Sequence, residues 1–552
     1  MDEKYRIFWG ESHDNTYTVD PPPAPIGEVI GRAASHLDFY SAAYYTSCAA
    51  AFRAGGHLSE GEAPTELTLE GWKEPERLER EWAEVQAATR EMNDPGRFVT
   101  FPGYEWQGDG TSGDHNLIFR REGAPIFRVD TLTDLYERLR GRKVLAIPHH
   151  LAYRVGRRGH DWSVYDGALS PFAEIYSLHG CSETDEEWIG MRENVHMGPS
   201  AGAGTYEEAL ARGYHLGAIC STDNWGEMPG RYGHGRMACL AEELTRDSLW
   251  EAFNARRIYG VTGDRIRLDF RVNGARMGEV VPAGLARRIR VDVRGSDAID
   301  RIEILRNNRV IATHCHQGTW DLPEPHRKTR LKLRIELGWG PQENEVPMPP
   351  KEWEGLLEVD DGRVLDAEPC WISPGQGMPR IDADGARFRM RTTRKTVTSE
   401  VQNAFVFELE GRPDSEIRLR INGREERGTV REFARRSRLM VFEDECERML
   451  AERRDLEPGS PERRDIYHFL AYIAKIHRAI PESGYTARLE FDDDEPLDGE
   501  SHYRVRVEQR NGQRAWSSPI WVRPGHMRNE EKRVGRRVNE VNEVNKVKQV
   551  TT

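Results

Sequence analysis

The feature that most constrains this chain is a change of sequence pattern near residue 263. From the N-terminus to about residue 262, short apolar strands such as KVLAI (143–147) alternate with amphipathic helical segments. After residue 263, segments such as IRLDFRVNG alternate apolar with polar residues and are separated by Asn-Gly and Gly-Ser turns. The first pattern predicts parallel βα units in a closed or wrapped barrel, and the second predicts an antiparallel sandwich.

The 552 residues therefore divide into four predicted regions. Residues 1–262 are predicted to form the barrel, and residues 263–395 a β-sandwich module. Residues 396–524 are predicted to form a second β-rich module with a helical insertion at 441–480, and residues 525–552 a polar tail. In the insertion, Ser460 is the predicted N-cap before Pro461. One helix face there is predicted to carry Ile466, Phe469, Leu470, Ile473 and Ile476.

Two features of the N-terminal half support helices between the strands. Leu78, Trp82 and Val85 recur at spacings of four and three, which places them on one helix face. Gly141 and Gly213 each follow a helical segment and stand directly before or near the next strand, as C′ glycines do.

Composition limits the classes of function. Asp and Glu exceed Lys and Arg, 92 to 79, which gives a net charge of −13 and argues against general nucleic-acid binding. The seven cysteines include no CxxC pair, so neither a disulfide scaffold nor a zinc ribbon is predicted. No signal peptide and no apolar stretch long enough to span a membrane is recognised. These patterns predict a cytoplasmic protein without membrane partners, and they are compatible with an oligomer.

Residue types that bind metals stand at or just after the strands of the N-terminal half. The residues concerned are His13, Asn15, Asp20, Glu105, His115, His149, His150, His179 and Asp223. In a parallel barrel the carboxyl ends of all strands open on one face, so these side chains are expected to converge. A mixture of imidazoles and carboxylates suits zinc, manganese or iron better than calcium or magnesium.

Several of these segments together resemble a known family. FWGESHDNTYTVD is similar to the opening motif of PHP-type (polymerase and histidinol phosphatase) metal hydrolases, and more closely to their relatives called domain of unknown function 3604. The similarity extends through FPGYEWQG, GDHNLIF, AIPHHLAY, AEIYSLHG, STDNWGEMPGRYGHG and YRVRVEQRNGQRAWSSPIWV. The resemblance implies a distorted (β/α)7 barrel with a multinuclear metal site and a hydrolase activity, typically on phosphoesters.

The chain departs from the family pattern at three positions where the family has histidine. Asn15 replaces the second histidine of the first motif, Tyr45 replaces the histidine after the second strand, and Trp225 replaces the one near the end of the barrel. An asparagine can still offer a carbonyl oxygen, whereas Tyr and Trp are poor replacements. We therefore expect one or two divalent ions per chain (Zn, Mn or Fe) rather than three.

Together, the spacing and the resemblance suggest a role for each residue. The predicted metal ligands are His13, Asn15, Glu105, His115, His149, His179 and Asp223. The predicted catalytic residues are His149, His150 and Asp20, with one of the two histidines passing a proton to the leaving group. Arg154, Arg157 and Arg158 follow this pair in a loop that could clamp an anionic group, although a solvated loop explains them equally well.

The leading hypothesis is a metal-dependent hydrolase of a small phosphoester or another anionic ester. A second enzymatic reading keeps the barrel but assigns a carbohydrate or amide substrate, because Trp106, Trp162, Trp188 and Trp225 lie near the motifs and could stack on a ring. A third reading is a binding protein whose eroded metal site no longer catalyses. The missing histidines favour the third reading, and the surviving ligand types after several strands favour the first.

Overall fold

The computed structural model describes residues 4–48, 71–187, 189–191, 197–225, 228–283, 286–339, 350–392, 402–454 and 472–524. The fold of these residues is mixed α/β and rich in sheets. Its helices are α1 (Ile26–Ala34), α2 (Pro75–Glu91), α3 (Leu132–Leu139), α4 (Tyr206–Ala211), α5 (Arg246–Asn254), α6 (Val430–Arg435), α7 (Glu443–Arg454) and α8 (Glu482–Tyr485). None of the helices in this part of the chain is long and apolar enough to cross a membrane.

The strands fall into two groups that follow the change of pattern. Those before residue 263 are β1 (Arg6–Thr16), β2 (Phe39–Tyr45), β3 (Ser47–Cys48), β4 (Gly71–Trp72), β5 (Val99–Phe101), β6 (Gly103–Trp106), β7 (His115–Phe119), β8 (Val144–Pro148), β9 (Phe172–Ser177), β10 (Gly180–Cys181), β11 (Gly217–Cys220), β12 (Arg236–Ala241) and β13 (Ile258–Val261).

The second group contains more strands than the first, and among its described residues only the helices α6, α7 and α8 lie between strands. It consists of β14 (Arg267–Val272), β15 (Ala275–Arg276), β16 (Val280–Ala283), β17 (Arg287–Arg294), β18 (Ile299–Arg306), β19 (Arg309–Cys315), β20 (Thr329–Gly338), β21 (Lys351–Val359), β22 (Arg363–Cys370), β23 (Arg380–Asp382), β24 (Gly385–Thr392), β25 (Asn403–Gly411), β26 (Glu416–Ile421), β27 (Arg424–Thr429), β28 (Arg438–Val441), β29 (Ile473–Ile476), β30 (Ile480–Pro481), β31 (Thr486–Asp493), β32 (Ser501–Gln509), β33 (Arg514–Ser517) and β34 (Ile520–Pro524).

The N-terminal strands are only partly parallel. β1, β2 and β6 run parallel, as do β9 and β11, whereas β7 is antiparallel to both β6 and β8, and β12 is antiparallel to β1. The connection from β6 to β7 is only residues 107–114, which suits an antiparallel pair and is short for a parallel crossover. Among the described residues no sheet closes on itself, so the predicted closed barrel is not found.

The helices of this half behave as the sequence predicts. α2 buries Leu78, Trp82 and Val85, which confirms the predicted face. Gly141 and Gly213 follow the C-caps of α3 and α4 with φ of 76° and 82°, a left-handed conformation that glycine adopts without strain.

Residues after 263 form antiparallel sheets that share apolar cores. The sheet of β22, β25, β20, β29 and β28 and the sheet of β23, β24, β21, β26 and β27 enclose one core, which includes Leu333, Trp353, Phe388, Phe407 and Leu419. A second core lies between β14 and β17 on one side and β18, β32 and β33 on the other. Alternating apolar residues thus pack between facing sheets, as in a sandwich.

Strand pairing crosses the predicted region boundaries. β13 pairs with β33, so the N-terminal sheet continues into the C-terminal strands. β20 and β22 pair with β25, across the boundary predicted at residues 395 and 396. In the predicted helical insertion, α7 is helical, but Ile473–Ile476 is strand β29, because it pairs with β20 and β28. The predicted helix residues 455–471 and the predicted tail after residue 524 lie outside the described residues.

Candidate metal centre

The centre of the site is the fully buried imidazole of His13. Its Nδ1 atom lies 2.9 Å from Oε2 of Glu174. Its Nε2 atom lies 3.2 Å from Oδ1 of Asp223 and 3.6 Å from Oε2 of Glu105. The Nδ2 atom of Asn15 lies 3.3 Å from the same Asp223 oxygen and 3.4 Å from His13 Nε2. One imidazole, one amide and three carboxylates therefore meet within a few ångströms.

Asp223 connects this group to a second group of histidines. While Oδ1 faces His13, Oδ2 lies 3.1 Å from Nε2 of His179 and 3.9 Å from Nδ1 of His149. The His149 ring also packs on the His13 ring at a centroid distance of 4.2 Å. The two carboxylate oxygens of Asp223 thus serve two separate sets of candidate ligands.

A third set of side chains adjoins these histidines. Nε2 of His150 lies 3.4 Å from Oδ2 of Asp114, and the same oxygen accepts a hydrogen bond of 2.6 Å from Arg158. The His150 ring lies 4.3 Å from that of His149 and 5.2 Å from that of His179, measured between centroids. His150 is therefore held by Asp114 at the border of the histidine group.

The backbone explains why residues so far apart in sequence meet. The amide of Asn15 donates to the carbonyl of Asn224 at 2.6 Å, and the hydroxyl of Thr222 donates to the carbonyl of His13 at 3.0 Å. The end of β1 is thereby bonded to the segment that follows β11. Asp223 has a φ of 50° and His150 a φ of 35°, a conformation that is uncommon for residues other than glycine and is concentrated at functional sites.

The buried carboxylate of Glu11 strengthens this junction. It accepts hydrogen bonds from the amides of His13 at 2.7 Å, Thr222 at 3.2 Å and Gly230 at 2.9 Å, and one from the Ser221 hydroxyl. Four donors from three segments converge on one side chain, so Glu11 is satisfied as a structural anchor.

The donor atoms of the cluster fit a metal ion. Among the described residues, both ring nitrogens of His149, Oδ1 of Asn15, Oε2 of Glu105 and Oε1 of Glu174 are buried without a hydrogen-bond partner. Buried polar atoms are normally paired, because an unpaired one costs about 1–3 kcal/mol. His13, His149, Glu174 and Asp223 each offer a ligand atom within 4.8 Å of the others. Imidazole and carboxylate donors at such spacing suit a divalent transition metal.

The electrostatics of the cluster favour a cation. Burial alone disfavours a charged His13, but the carboxylates of Asp223 and Glu174 raise its pKa well above the ordinary value. Burial also disfavours an ionised Asp223, yet His13 and His179 lower its pKa to about 2. Burial raises the pKa of Glu174 to about 7. A pocket that stabilises a proton on a buried imidazole stabilises positive charge in general.

Part of the candidate metal centre lies in a segment that matches the model of a known protein family. The family model described as protein of unknown function (DUF3604) matches residues 35–154. The predicted resemblance is confirmed over this segment. The DUF3604 match includes Glu105, His149 and His150, whereas His13, Glu174 and Asp223 lie outside it.

Two relatives with similar sequences are proteins of Chlamydia species. An uncharacterized protein of Chlamydia pneumoniae is 25% identical over 252 residues, covering 42% of this chain and 40% of the relative. An uncharacterized protein of Chlamydia trachomatis is 24% identical over 255 residues, covering 42% and 41%. This chain spans about two fifths of the length of these relatives. A two-domain protein of Bacteroides vulgatus, containing a predicted PHP-like metal-dependent phosphoesterase, matches with a TM-score of 0.33 at 11% identity, over 55% of this chain and 80% of that one.

Two of the three residues at positions where the resemblance predicts histidine contact each other. The rings of Tyr45 and Trp225 lie 6.4 Å apart, and Tyr45 is buried. Tyr45 and Trp225 thus form an aromatic pair at two positions where the resemblance predicts histidine ligands. Asn15, the third replacement, is in contact with the cluster.

Three predicted residues do not contact the carboxylates of the cluster. His115 is buried and its Nε2 has no hydrogen-bond partner among the described residues, but its ring packs against His160 at 5.2 Å and against Trp106 and Tyr136. Asp20 is exposed and lies 3.5 Å from Arg77, away from the histidines. Arg158 is buried against Asp114, so it supports His150 and is not a free anion clamp.

Sequence reasoning missed Glu174 and Asp114. Glu174 is a lone carboxylate in the apolar strand β9, and a charged residue inside a buried strand is itself a signal of a paired or metal-binding group. Asp114 directly precedes His115, and the sequence rule selected the histidine and not the aspartate. The tryptophans proposed to stack on a sugar, Trp106 and Trp162, are both buried, and Trp188 lies outside the described residues.

Proposed function

We propose that this protein is a metal-dependent hydrolase of a phosphoester or another anionic ester. The observation that carries the proposal is the buried cluster of His13, Glu105, His149, Glu174 and Asp223, with its unpaired ligand atoms. These side chains come from separate strands or strand ends, and they have little reason to converge in a protein without a cation.

The residues divide into two groups of candidate ligands. His13 and Asn15 face one oxygen of Asp223, with Glu105 on the same nitrogen of His13, and His149 and His179 face the other oxygen. Such an arrangement is suited to one or two ions of zinc, manganese or iron. A bound divalent ion of this kind polarises an ester oxygen and lowers the pKa of a water molecule towards neutrality. Tyr45 and Trp225 occupy positions that offer no third group of ligands.

Glu174 orients His13 rather than completing the ligand set. Its hydrogen-bonding distance to Nδ1 leaves Nε2 of His13 free to face Glu105 and Asp223. Carboxylates that hold the second nitrogen of a ligating histidine are common in metal sites, and they fix both the tautomer and the ring orientation.

His150 is the candidate for moving a proton to the leaving group. Asp114 lies beside its Nε2 atom and, despite burial, raises the pKa of the imidazole above its ordinary value. Arg158 fixes Asp114 in turn. A chain of Arg158, Asp114 and His150 would hold a protonated imidazole next to the ligands.

Substrate would reach the cluster on the side of His179, whose side chain is 20% exposed while those of His13 and His149 are at most 1% exposed. Tyr153 holds His179 there through a contact of 2.8 Å between its hydroxyl and Nδ1. Arg154 and Arg157 are exposed on the loop after His150, and they are the candidates for contacting an anionic group.

A metal assay combined with a substrate screen tests the proposal. Purified protein loaded with Zn²⁺ or Mn²⁺ is analysed for bound metal and assayed with p-nitrophenyl phosphate and bis(p-nitrophenyl) phosphate. We expect one or two ions per chain and metal-dependent release of nitrophenol. His13→Ala should abolish both, and His326→Ala, which changes an exposed histidine, should change neither.

Three results would contradict the proposal in different ways. A metal content near zero after loading would remove the metal centre altogether. Bound metal without hydrolysis of phosphate, carboxylate, glycosidic or amide model substrates would favour a binding protein with an eroded site. Hydrolysis only of glycosidic or amide substrates would replace the ester assignment.

A further inference from the structure

A cleft far along the sequence from the histidine cluster concentrates basic side chains. It lies between β14 and β17 on one side and β20, β22 and β25 on the other, and its volume is about 800 Å³. Seven basic and five acidic side chains line it, in a protein whose net charge is −13. We refer to it as the junction cleft, with Arg267, Arg294, Arg330 and Lys332 as the basic residues considered below.

One carboxylate in the junction cleft is shared by three cations. Glu408 lies 2.7 Å from Arg294, 3.2 Å from Arg330 and 3.2 Å from Lys332. Glu482 lies 3.3 Å from Arg294 and is the second acidic partner within reach. Three positive charges thus face two negative charges, and the buried position of Glu408 weakens solvent screening.

Arg267 adds a positive charge that has no acidic partner among the described residues. It is directly opposite Arg294 in the antiparallel pairing of β14 and β17. Like charges at directly opposed positions repel and normally destabilise a sheet. Arg294 has Glu408 and Glu482 as partners but shares Glu408 with Arg330 and Lys332, so the addition of Arg267 leaves this group of side chains with an excess of positive charge. Arg267 is exposed at the rim of the cleft, and Arg294 is only partly exposed within it.

We propose that the junction cleft binds a dianionic phosphoryl group. The Arg267 guanidinium can donate two hydrogen bonds to a tetrahedral oxyanion. Arg294, Arg330 and Lys332 share Glu408 and Glu482, so the excess of positive charge beside Arg267 favours a dianion over a monovalent carboxylate. The volume is that of a site for a small organic ligand and exceeds what a free oxyanion fills. The group is therefore expected to be carried on an organic body that fills the rest of the cleft.

Calorimetric titration tests this with glucose 6-phosphate, inorganic phosphate and glucose, at constant ionic strength. The wild-type protein should bind glucose 6-phosphate and not glucose. Arg267→Ala should weaken that binding about tenfold, the usual worth of a charge-assisted hydrogen bond, and Arg267→Lys should weaken it less. Glu408→Gln should strengthen it, because it removes the acid that competes for three cations.

Matched controls separate the cleft from general charge effects. Arg97→Ala and Glu242→Gln make the same charge changes at exposed positions in the N-terminal half, and they should leave the affinity unchanged. The titrations are repeated with His13→Ala, because a phosphate could also bind at the metal centre. If the Glu408→Gln variant does not fold, the Arg267→Ala variant still tests the proposal, since Arg267 is exposed.

The two phosphate probes distinguish the sources of the anion. Tighter binding of glucose 6-phosphate than of inorganic phosphate supports an ester, and equal binding of both supports the oxyanion site with a free ion as its ligand. The proposal is overturned if neither probe binds the wild-type protein at millimolar concentration, or if Arg267→Ala binds as tightly as the wild type.

Discussion

Oε2 of Glu174 lies 2.9 Å from Nδ1 of His13, and both side chains are almost completely buried. This contact determines which nitrogen of His13 is available to the other side chains, namely Nε2, which faces Asp223 and Glu105. The imidazole cannot rotate to exchange its two nitrogens without leaving the carboxylate of Glu174 unpaired. The pair therefore gives the candidate centre a fixed direction.

The first prediction follows from this pair. Glu174→Gln should lower the affinity for Zn²⁺ or Mn²⁺ by about 10–100-fold, because the orienting charge is lost while the shape is kept. Competition with a metallochromic chelator measures the change. Glu122→Gln is the control, since Glu122 is a partly buried carboxylate paired with Arg246 in the same half of the protein. Unchanged affinity in Glu174→Gln would mean that His13 needs no such partner.

The second prediction concerns stability after metal removal. A ligand that binds only the folded state stabilises it by about 2.7 kcal/mol at a free concentration one hundred times its dissociation constant. Tm should therefore fall when a chelator is added and recover when metal is restored, as followed by differential scanning calorimetry. The shift should vanish in His13→Ala and persist in His326→Ala. A chelator-independent Tm in the wild type would contradict a structural contribution from the ion.

The third prediction concerns Asn15, which contacts His13 and Asp223 where the family pattern has histidine. Asn15→Asp keeps the side-chain shape and adds a negative charge beside the candidate ligands. Because a divalent cation gains more from a carboxylate than from an amide oxygen, the metal affinity should rise about tenfold or more. Asn15→Ala should lower it. Equal affinities in all three proteins would exclude Asn15 from the centre.

The fourth prediction uses a buried histidine outside the cluster. Burial, with Arg236 and Arg265 nearby, lowers the pKa of His36 in the folded state to about 3. The unfolded chain takes up this proton near pH 6.5, so folding stability from His36 is present above that pH and is lost as the pH falls towards 3. The loss from this group at pH 5 should be about 2 kcal/mol.

Urea denaturation at pH 7 and pH 5 measures this effect. His36→Gln should reduce the difference in the free energy of unfolding between the two pH values, because the titrating group is gone. His326→Gln, at an exposed position, should leave the difference as in the wild type. An undiminished difference in His36→Gln would assign the acid sensitivity to other groups.

Hydrophobic patterning predicted the change from alternating helices and strands to antiparallel sheets, and it predicted the buried face of α2. It did not predict the reversed direction of β7 or the absence of a closed barrel. Strand direction depends on pairing partners and connection lengths, which the period of apolar residues does not encode. Ile473 and Ile476, three residues apart, fit one face of a helix and lie on opposite faces of a strand. Their spacing therefore favoured a helix, and the backbone pairing with β20 and β28 makes the segment strand β29 instead.

For the site, the sequence rule was to select metal-binding residue types at or just after a strand. The rule selected five residues that lie together in the structure, namely His13, Glu105, His149, His179 and Asp223. The same rule also selected His115, which packs against His160, and Asp20, which pairs with Arg77. The rule selected them because it does not state in which direction a side chain points. It overlooked Glu174, which lies inside a strand. A search for isolated charges within apolar strands would have found it.

The last prediction separates the neighbouring histidines 149 and 150. His149 has two ring nitrogens without a hydrogen-bond partner among the described residues and lies 3.9 Å from Asp223, as a ligand would. His150 is held by Asp114 instead. His149→Ala should therefore lose metal and activity together. His150→Ala should keep its metal and lose turnover by about 10²–10⁴-fold, the usual worth of a positioned acid or base.

Metal content and kcat, both measured on each variant, make the distinction. Asp114→Asn should resemble His150→Ala in weaker form, since it keeps the imidazole but removes the charge that holds it protonated. The alkaline limb of the rate profile is informative as well, because a general acid is active only while it carries its proton. Loss of metal in His150→Ala, or full activity in His149→Ala, would reverse or remove the two roles, and the pairing of His150 with Asp114 would then serve only to hold the loop that follows β8.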